Sequence, residues 1–375
     1  MYWINLNAAV QQGEFMAIDF DSFITSLEIE ETEKDKDEAR FFDFDDEEIA
    51  AAIDTIIDIS PEKITKAKAR RETREMVREE LAKFSQMKRI FNKTKDHFRS
   101  VPVTDNGETL CLALSDWHFG KNTFLDGKAV FNSEIAFNRV AKIIAPQIVE
   151  NIKRLGRSSN IEDVRIFLLG DLIENDIMYE TQRLHIDKPV SSQFNDALKA
   201  LMLLLGSIRG AFEAIGKPDI DIKIDCLTGN HGRAHGRQDS GECSWDTALY
   251  MATEVALEYS DLKNISIDYT FDLYKAVNVR GQRGLLRHWA PSQAETASAK
   301  AKLGGWNEIF DYDFMVYGHY HHWGVNTFHG KPLFRNGSLC GTDDYAINLS
   351  VSDDWGQLMW GCSKTDPCTF IHRIR

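Results

Sequence analysis

Five times between residues 110 and 321 a short apolar run ends in side chains able to hold a metal ion. Leu110 to Leu114 is followed by Ser115-Asp116-Trp117-His118, and Val164 to Leu169 by Gly170-Asp171-Leu172-Ile173-Glu174-Asn175. Ile220 to Leu227 precedes Gly229-Asn230-His231, Leu285 to Leu286 precedes Arg287-His288-Trp289, and Phe314 to Tyr317 precedes Gly318-His319-Tyr320-His321. Apolar runs this short, closed by turn residues, predict buried strands. Phe131 to Leu155, Gln193 to Ile215 and Trp245 to Tyr259 predict the helices that cover them. Strands alternating with helices make a layered α/β domain, and in such domains ligands gather where loops converge at the carboxyl ends of the strands.

The spacing inside the blocks has a geometric reading. In Asp-x-His and His-x-His the two ligands are two residues apart, so in an extended segment both face one side while Trp117 and Tyr320 turn away to pack. A glycine ahead of Asp171, Asn230 and His319 allows a tight turn and close backbone approach. Carboxylate, imidazole and amide oxygen together suit a borderline divalent metal such as Mn, Fe or Zn. The six cysteines, Cys111, Cys226, Cys243, Cys340, Cys362 and Cys368, form no Cys-x-x-Cys pair and read as buried or free thiols.

The whole chain, at 375 residues and a net charge of -14, allows one large domain with something extra, and the charge is unevenly spread. Residues 1–60 carry 17 acidic and 3 basic side chains, 61–100 carry 6 and 13, and 101–375 carry 35 and 28. This divides the chain into an acidic N-terminal segment (1–60), a basic amphipathic helix (61–100) and a catalytic-sized domain (101–375). Ser60-Pro61 starts the helix, and Val77, Leu81, Phe84, Met87 and Phe91 recur at helical spacing. Solvation of its basic face, or pairing with the acidic block, is the plainer reading; contact with a phosphate backbone is the sharper one. A helix of this kind also permits a homodimer. Asp19-Phe20-Asp21 has no matching partner and reads as a solvated edge. The longest apolar stretch, Ala197 to Ile208, is shorter than a bilayer needs. Met1 to Phe15 lacks the pattern of a secretory signal, so the expectation is a cytoplasmic protein without a membrane partner.

Taken in order, the five blocks resemble the calcineurin-like metallophosphoesterase superfamily, whose pattern runs D-x-H, G-D-x-x-D/H, G-N-H-D/E, a lone His and G-H-x-H. The resemblance covers residues 110 to about 340. Its motifs are closest to the repair-exonuclease branch and phage-encoded phosphoesterases. It implies a four-layer α/β/β/α sandwich and two divalent cations, with Mn favoured over Fe or Zn. Asp116, His118 and His321 would hold one cation, Asn230, His288 and His319 the other, and Asp171 would bridge them. His231 would be the catalytic histidine, with Asn230 and Arg233 contacting the phosphoryl group.

The chain departs from the pattern at three places. Gly232 and Arg233 follow His231 where an acid is usual, so a carboxylate from elsewhere must orient that histidine. Glu174 stands where Asp or His is usual, a position that often approaches substrate. His288 is followed by Trp289 rather than Gly. Among nearby residues, Arg183, His185, His235 and Arg237 lie in loops that either touch substrate or are solvated, and His322 points opposite to His321. His97, His329 and His372 read as surface or structural histidines. Asn336-Gly337-Ser338 reads as the turn that closes a second sheet.

The expected chemistry is hydrolysis of a phosphodiester in DNA or RNA, with two cations supplying a bridging hydroxide near neutral pH and His231 protonating the leaving oxygen. A phosphatase acting on a small molecule or phosphoprotein is the alternative of the same class. A noncatalytic interaction protein that keeps the fold is the alternative of another class, and it predicts loss of a ligand.

Overall fold

The computed structural model describes residues 107–125, 127–235, 241–291, 293–342 and 354–375. The acidic segment, the basic helix, Asp19-Phe20-Asp21, His97 and Arg237 lie outside the described residues, as does any homodimer face on that helix.

Two sheets carry the domain. The first has the order β13-β12-β1-β4-β5-β6, built from β1 (Glu108–Leu114), β4 (Ile161–Leu168), β5 (Asp221–Cys226), β6 (Ile265–Tyr269), β12 (Gln357–Cys362) and β13 (Phe370–Ile374). Its centre is parallel: Leu112 pairs with Ile166 and Ile166 with Ile224, whereas β12 runs antiparallel to β1. The second has the order β10-β11-β9-β8-β7, from β7 (Tyr274–Val279), β8 (Gln282–Arg287), β9 (Phe314–Tyr317), β10 (Gly324–Phe328) and β11 (Lys331–Arg335). A small hairpin, β2 (Thr123–Leu125) with β3 (Lys128–Phe131), stands apart.

Side-chain alternation sorts the buried residues into three layers of core, as a strand's period of two requires. Leu110, Leu112, Leu114, Val164, Ile166 and Leu168 face the helices on the first sheet. Cys111, Ala113, Phe167 and Leu169 face the other way, against Leu286, Phe314, Val316 and Phe334 of the second sheet. Trp360 fills this inter-sheet layer, stacked 4.7 Å from Phe334 and 5.6 Å from Phe167 between ring centroids. Leu285, Met315, Tyr317 and Leu333 face outward onto the helix Ala297–Phe310 through Leu303. The result is the expected four-layer α/β/β/α sandwich.

The first sheet is covered by α1 (Ser133–Arg139), α2 (Ala145–Leu155), α3 (Val190–Ala214) and α4 (Trp245–Glu258). Asn132 caps α1 by accepting from Ile135 N at 2.8 Å. Between α1 and α2 lies a π-helical turn, Val140–Ile144, just ahead of Pro146. Proline lacks an N–H and crowds the preceding turn, and the wider turn absorbs it, so the single helix expected over Phe131 to Leu155 continues with a bulge. The helix α5 (Ala297–Phe310) and strands β6, β7 and β10 to β13 are additions to the expected elements. No helix among the described residues is long and apolar enough to cross a membrane.

Candidate metal centre

All five ligand-bearing blocks follow strands whose carboxyl ends meet at one edge of the sandwich. Asp116 and His118 follow β1, Asp171 follows β4, Asn230 follows β5, His288 follows β8, and His319 and His321 follow β9. The loops touch each other closely because three glycines leave room. A Cβ on Gly170 would sit 2.0 Å from Gly229 N; on Gly229, 2.1 Å from Asp171 Oδ1; on Gly318, 2.5 Å from Asp116 Oδ2. A side chain at Gly229 or Gly318 would displace a carboxylate, and one at Gly170 would push apart the loops after β4 and β5.

The local backbone differs from the extended form expected for Asp-x-His and His-x-His. Asp116, His118, Asp171, His319 and His321 all have positive φ, between 47° and 75°. Ligands two residues apart therefore converge through left-handed turns rather than by strand alternation. Such conformations cost on the order of 1 kcal/mol or more each and persist where the surroundings enforce them. Enforcement is visible: His319 N donates to Asp116 Oδ2 at 3.0 Å, and Asp116 N and His118 N donate to the carbonyls of Gly170 and Asp171 at 3.1 Å each. Trp117 is fully buried as expected and donates to Gln357 Oε1 at 3.3 Å.

Two ligand groups share one residue. The ligand atoms of Asp116, His118 and Asp171 lie within 4.8 Å of one another, and so do those of Asp171, His288 and His319. Two ligands at opposite sides of one cation are separated by about 4.4 Å at most, so each cluster is close to the span of a single ion. His321 Nε2 joins the first group, 3.0 Å from His118 Nε2 and 3.6 Å from Asp116 Oδ1. Asn230 Oδ1 joins the second, 2.8 Å from His319 Nδ1 and 3.0 Å from His288 Nε2.

Hydrogen bonds at the outer nitrogens fix which ring atom faces the cluster. His118 Nδ1 lies 2.7 Å from Glu174 Oε2, and His288 Nδ1 lies 2.7 Å from the Leu169 carbonyl. Each partner accepts only, so both Nδ1 atoms carry hydrogen and both Nε2 atoms turn inward as donors to a cation. The donor set thus fits a pair of divalent ions sharing Asp171.

The electrostatics agree. Burial disfavours charge on His288, but Asp171 at 3.1 Å outweighs it and raises the imidazole to about 9. Burial also opposes ionisation of Asp171, yet His288 and His231 hold it well below the usual carboxylate range. The negative potential that keeps a proton on His288 is one that attracts a cation. Burial and the neighbouring His288 lower His319 to about 4, and burial with His118 pushes His321 well down, leaving both as neutral ligands.

His231 stands beside the two groups. Its backbone N donates to Asp171 Oδ1 at 2.6 Å, and its ring meets that of His118 edge-on at 4.6 Å. The carboxylate that orients it is Glu174, with Oε2 3.3 Å and the backbone carbonyl 3.1 Å from His231 Nδ1. Burial opposes protonation, but the charges of Glu174 and Asp171 raise His231 to about 9. Glu174 itself is buried and clamped by His118, His231 and Gln182 Nε2 at 3.0 Å. Its carboxylate lies beside His231 Nδ1, next to the ring that an acid following His231 is expected to orient. No side chain fits at Gly232, where a Cβ would meet Ser244 Oγ at 2.5 Å and Asp246 Oδ2 at 2.8 Å.

Asp246 and Gln357 are the supports that sequence reasoning missed. Asp246 accepts from Gly229 N at 2.9 Å and from Asp171 N and Leu172 N at 3.1 Å each, joining the loops after β4 and β5. In sequence it looks like an ordinary acid in the first turn of α4, capped by Ser244. Gln357 accepts from Ser115 N at 2.9 Å and donates to Gly337 O at 3.0 Å. The turn at Asn336 does more than close a sheet, since Asn336 Nδ2 donates to Ser115 Oγ at 2.9 Å and its backbone N to Tyr317 O at 2.7 Å.

Arg233 is half-buried, and its carbonyl accepts from Asn175 Nδ2 at 2.6 Å. Arg183 pairs with Asp176 at 3.3 Å on the surface, while His185 and His235 are exposed. His322 Nδ1 lies 2.7 Å from Tyr320 O, and His372 pairs with Arg154 at 2.9 Å.

No family model matches the sequence, and no curated protein matches it. Among solved structures, the chain is similar to a novel archaeal phosphodiesterase at 10% identity, covering 71% of this chain and 98% of that one, with a TM-score of 0.32. It is also similar to vacuolar protein sorting 29 from Cryptosporidium parvum, at 13% identity, 68% and 86% coverage and a TM-score of 0.31. A predicted phosphoesterase from Streptococcus pneumoniae follows at 9% identity, 72% and 98% coverage and a TM-score of 0.26.

Proposed function

We propose that this chain is a metal-dependent phosphodiesterase that hydrolyses DNA or RNA. The observation that carries the reading is one buried carboxylate, Asp171, shared by two ligand groups, with His231 held beside them by Glu174. Asp116, His118 and His321 would hold one divalent cation, Asn230, His288 and His319 the other, and Asp171 both. Mn, Fe and Zn suit the donor set. Bound there, such cations activate water near neutral pH and neutralise phosphate oxygens.

The chain's own groups account for the remaining work. His231, kept charged by Glu174 and Asp171, donates its proton to the leaving oxygen. Glu174 holds the imidazole in place through Nδ1, so that Nε2 is the atom that delivers it. Asn230 presents its amide nitrogen to a phosphoryl oxygen while its oxygen faces His288 and His319. Arg233 adds a guanidinium from the same loop.

Support for a nucleic acid over other phosphodiesters comes from the motif resemblance to the repair-exonuclease branch and phage phosphoesterases, and from the basic stretch 61–100. Next to His288, Lys302 lies 4.6 Å over Trp289 and Arg287 lies 4.0 Å over Trp306, a cation and aromatic surface of the kind a nucleotide strand stacks on. A cytoplasmic location is part of the same reading. The test is a panel of single- and double-stranded DNA, RNA, a bis-aryl phosphodiester and an aryl monoester with protein loaded with Mn2+ or with Zn2+. The reading predicts cleavage of nucleic acid, abolished by chelator. Cleavage of the bis-aryl diester alone would overturn the nuclease assignment, and inertness toward all of them would overturn the enzymatic one.

A further inference from the structure

We infer that Cys340 is a thiolate ligand to the cation position held by His118 and His321, and that it turns this position toward zinc-like ions and away from Mn2+. The inference rests on the reading that the centre binds cations. Cys340 Sγ and one ring nitrogen each of His118 and His321 lie within 4.8 Å of one another. The two histidine Nε2 atoms are already 3.0 Å apart, an edge length that two ligands of a single ion adopt. Cys340 is 3% exposed. A sulfur there meets the cluster without competition from bulk water.

The segment bearing Cys340 is strapped to the ligand loops. Leu339 N donates to the Asp116 carbonyl at 3.0 Å, and Ser338 Oγ donates to the His321 carbonyl at 3.4 Å while accepting from Cys340 N at 3.2 Å. Arg139 donates to the Leu339 carbonyl and, at 3.1 Å, to the Cys340 carbonyl. Its guanidinium lies over the Phe131 ring at 5.5 Å and the Trp355 ring at 4.9 Å, so the side chain that straps Leu339 and Cys340 is itself held in place. The other buried cysteines, Cys111, Cys226 and Cys362, whose thiols burial pushes up, join no group of metal-ligating side chains among the described residues. A thiolate added to two imidazoles is the chemistry that favours Zn2+ and Co2+ over the harder Mn2+.

The test uses the full chain, stripped by chelator and reloaded with Co2+ or Zn2+. With Co2+, the wild type is expected to show a near-ultraviolet thiolate-to-cobalt charge-transfer band beside the visible ligand-field bands. Cys340→Ser should lose the former, keep the latter, and bind Zn2+ at least about tenfold more weakly, the lower end of what disturbing a metal's surroundings costs. A Cys243→Ser/Cys368→Ser variant, altering the two thiols that are not buried, should keep the band. X-ray absorption of the Zn2+-loaded wild type should show a sulfur neighbour at about 2.3 Å, a measurement that stands even if Cys340→Ser does not fold. A band that survives Cys340→Ser, or a spectrum with nitrogen and oxygen neighbours alone, overturns the role of Cys340 and leaves the cation reading intact. Failure of the stripped protein to take up either metal overturns both.

Discussion

Replacing Glu174 by Gln tests how the site tolerates a glycine after its histidine. The substitution keeps the shape and removes the charge that lies 2.7 Å from His118 Nδ1 and 3.3 Å from His231 Nδ1. Glu174 supplies the largest attraction that lifts His231 from 6.5 to about 9, with Asp171 second. Losing it lets burial pull the imidazole back toward 6.5, and each unit of that fall is tenfold in proton affinity. If His231 acts as the proton donor, the basic limb of turnover lies at lower pH in Glu174→Gln than in the wild type. At pH 8 the variant should be at least about tenfold slower at saturating substrate and recover as pH is lowered.

Stability follows the same pair of titrations. His231 is raised on folding, so its contribution is complete below 6.5 and lost as pH rises through about 9. Glu174 is depressed, so its contribution is present above its ordinary value of 4.5 and lost on acidification. The stability gap between wild type and Glu174→Gln should therefore be widest between pH 4.5 and 6.5, on the order of 3 kcal/mol, as for breaking a buried ion pair. Rate profiles of kcat against pH and urea melts at three pH values measure both. A basic limb that stays in place in Glu174→Gln would refute the role given to Glu174.

Further outcomes concern the supports of the site. Asp246→Ala leaves three backbone N–H groups without their acceptor, each costing about 1 kcal/mol or more, and should lower the urea midpoint by at least that equivalent. Gly232→Asp, which restores the acid usual in the related motif, should destabilise more than Gly232→Ala, because the added carboxylate enters the space of Ser244 and Asp246; thermal melts rank the two. Chelator should lower the melting temperature of the wild type, and Zn2+ at 100 times its dissociation constant should restore about 2.7 kcal/mol per site.

The positions of the candidate centre were legible in the sequence because each candidate ligand follows an apolar run that pairs within a sheet. Strands such as Phe314–Tyr317 are buried along their whole length and announce themselves. The helix Ala297–Phe310 did not, since two glycines interrupt it and only Ala299 and Leu303 are buried. Strands β7 and β10 are half-exposed edges with short alternating patterns. The contacts of Glu174, Asp246 and Gln357, and the place of Cys340 beside His118 and His321, were hidden for another reason. Each acts across 17 or more residues of sequence, through hydrogen bonds or proximity that exist only once loops from different strands meet. The left-handed turns at Asp116, His118, His319 and His321 were equally hidden, because residues of these types rarely adopt them without such partners.

The central claim is that Asp171 joins two cations. Anomalous diffraction from crystals of metal-loaded protein, recorded at the edge of the bound metal, tests it most directly. The account predicts two peaks about 3.5 to 4 Å apart on either side of the Asp171 carboxylate. A single peak, or peaks that leave Asp171 unliganded, would contradict it.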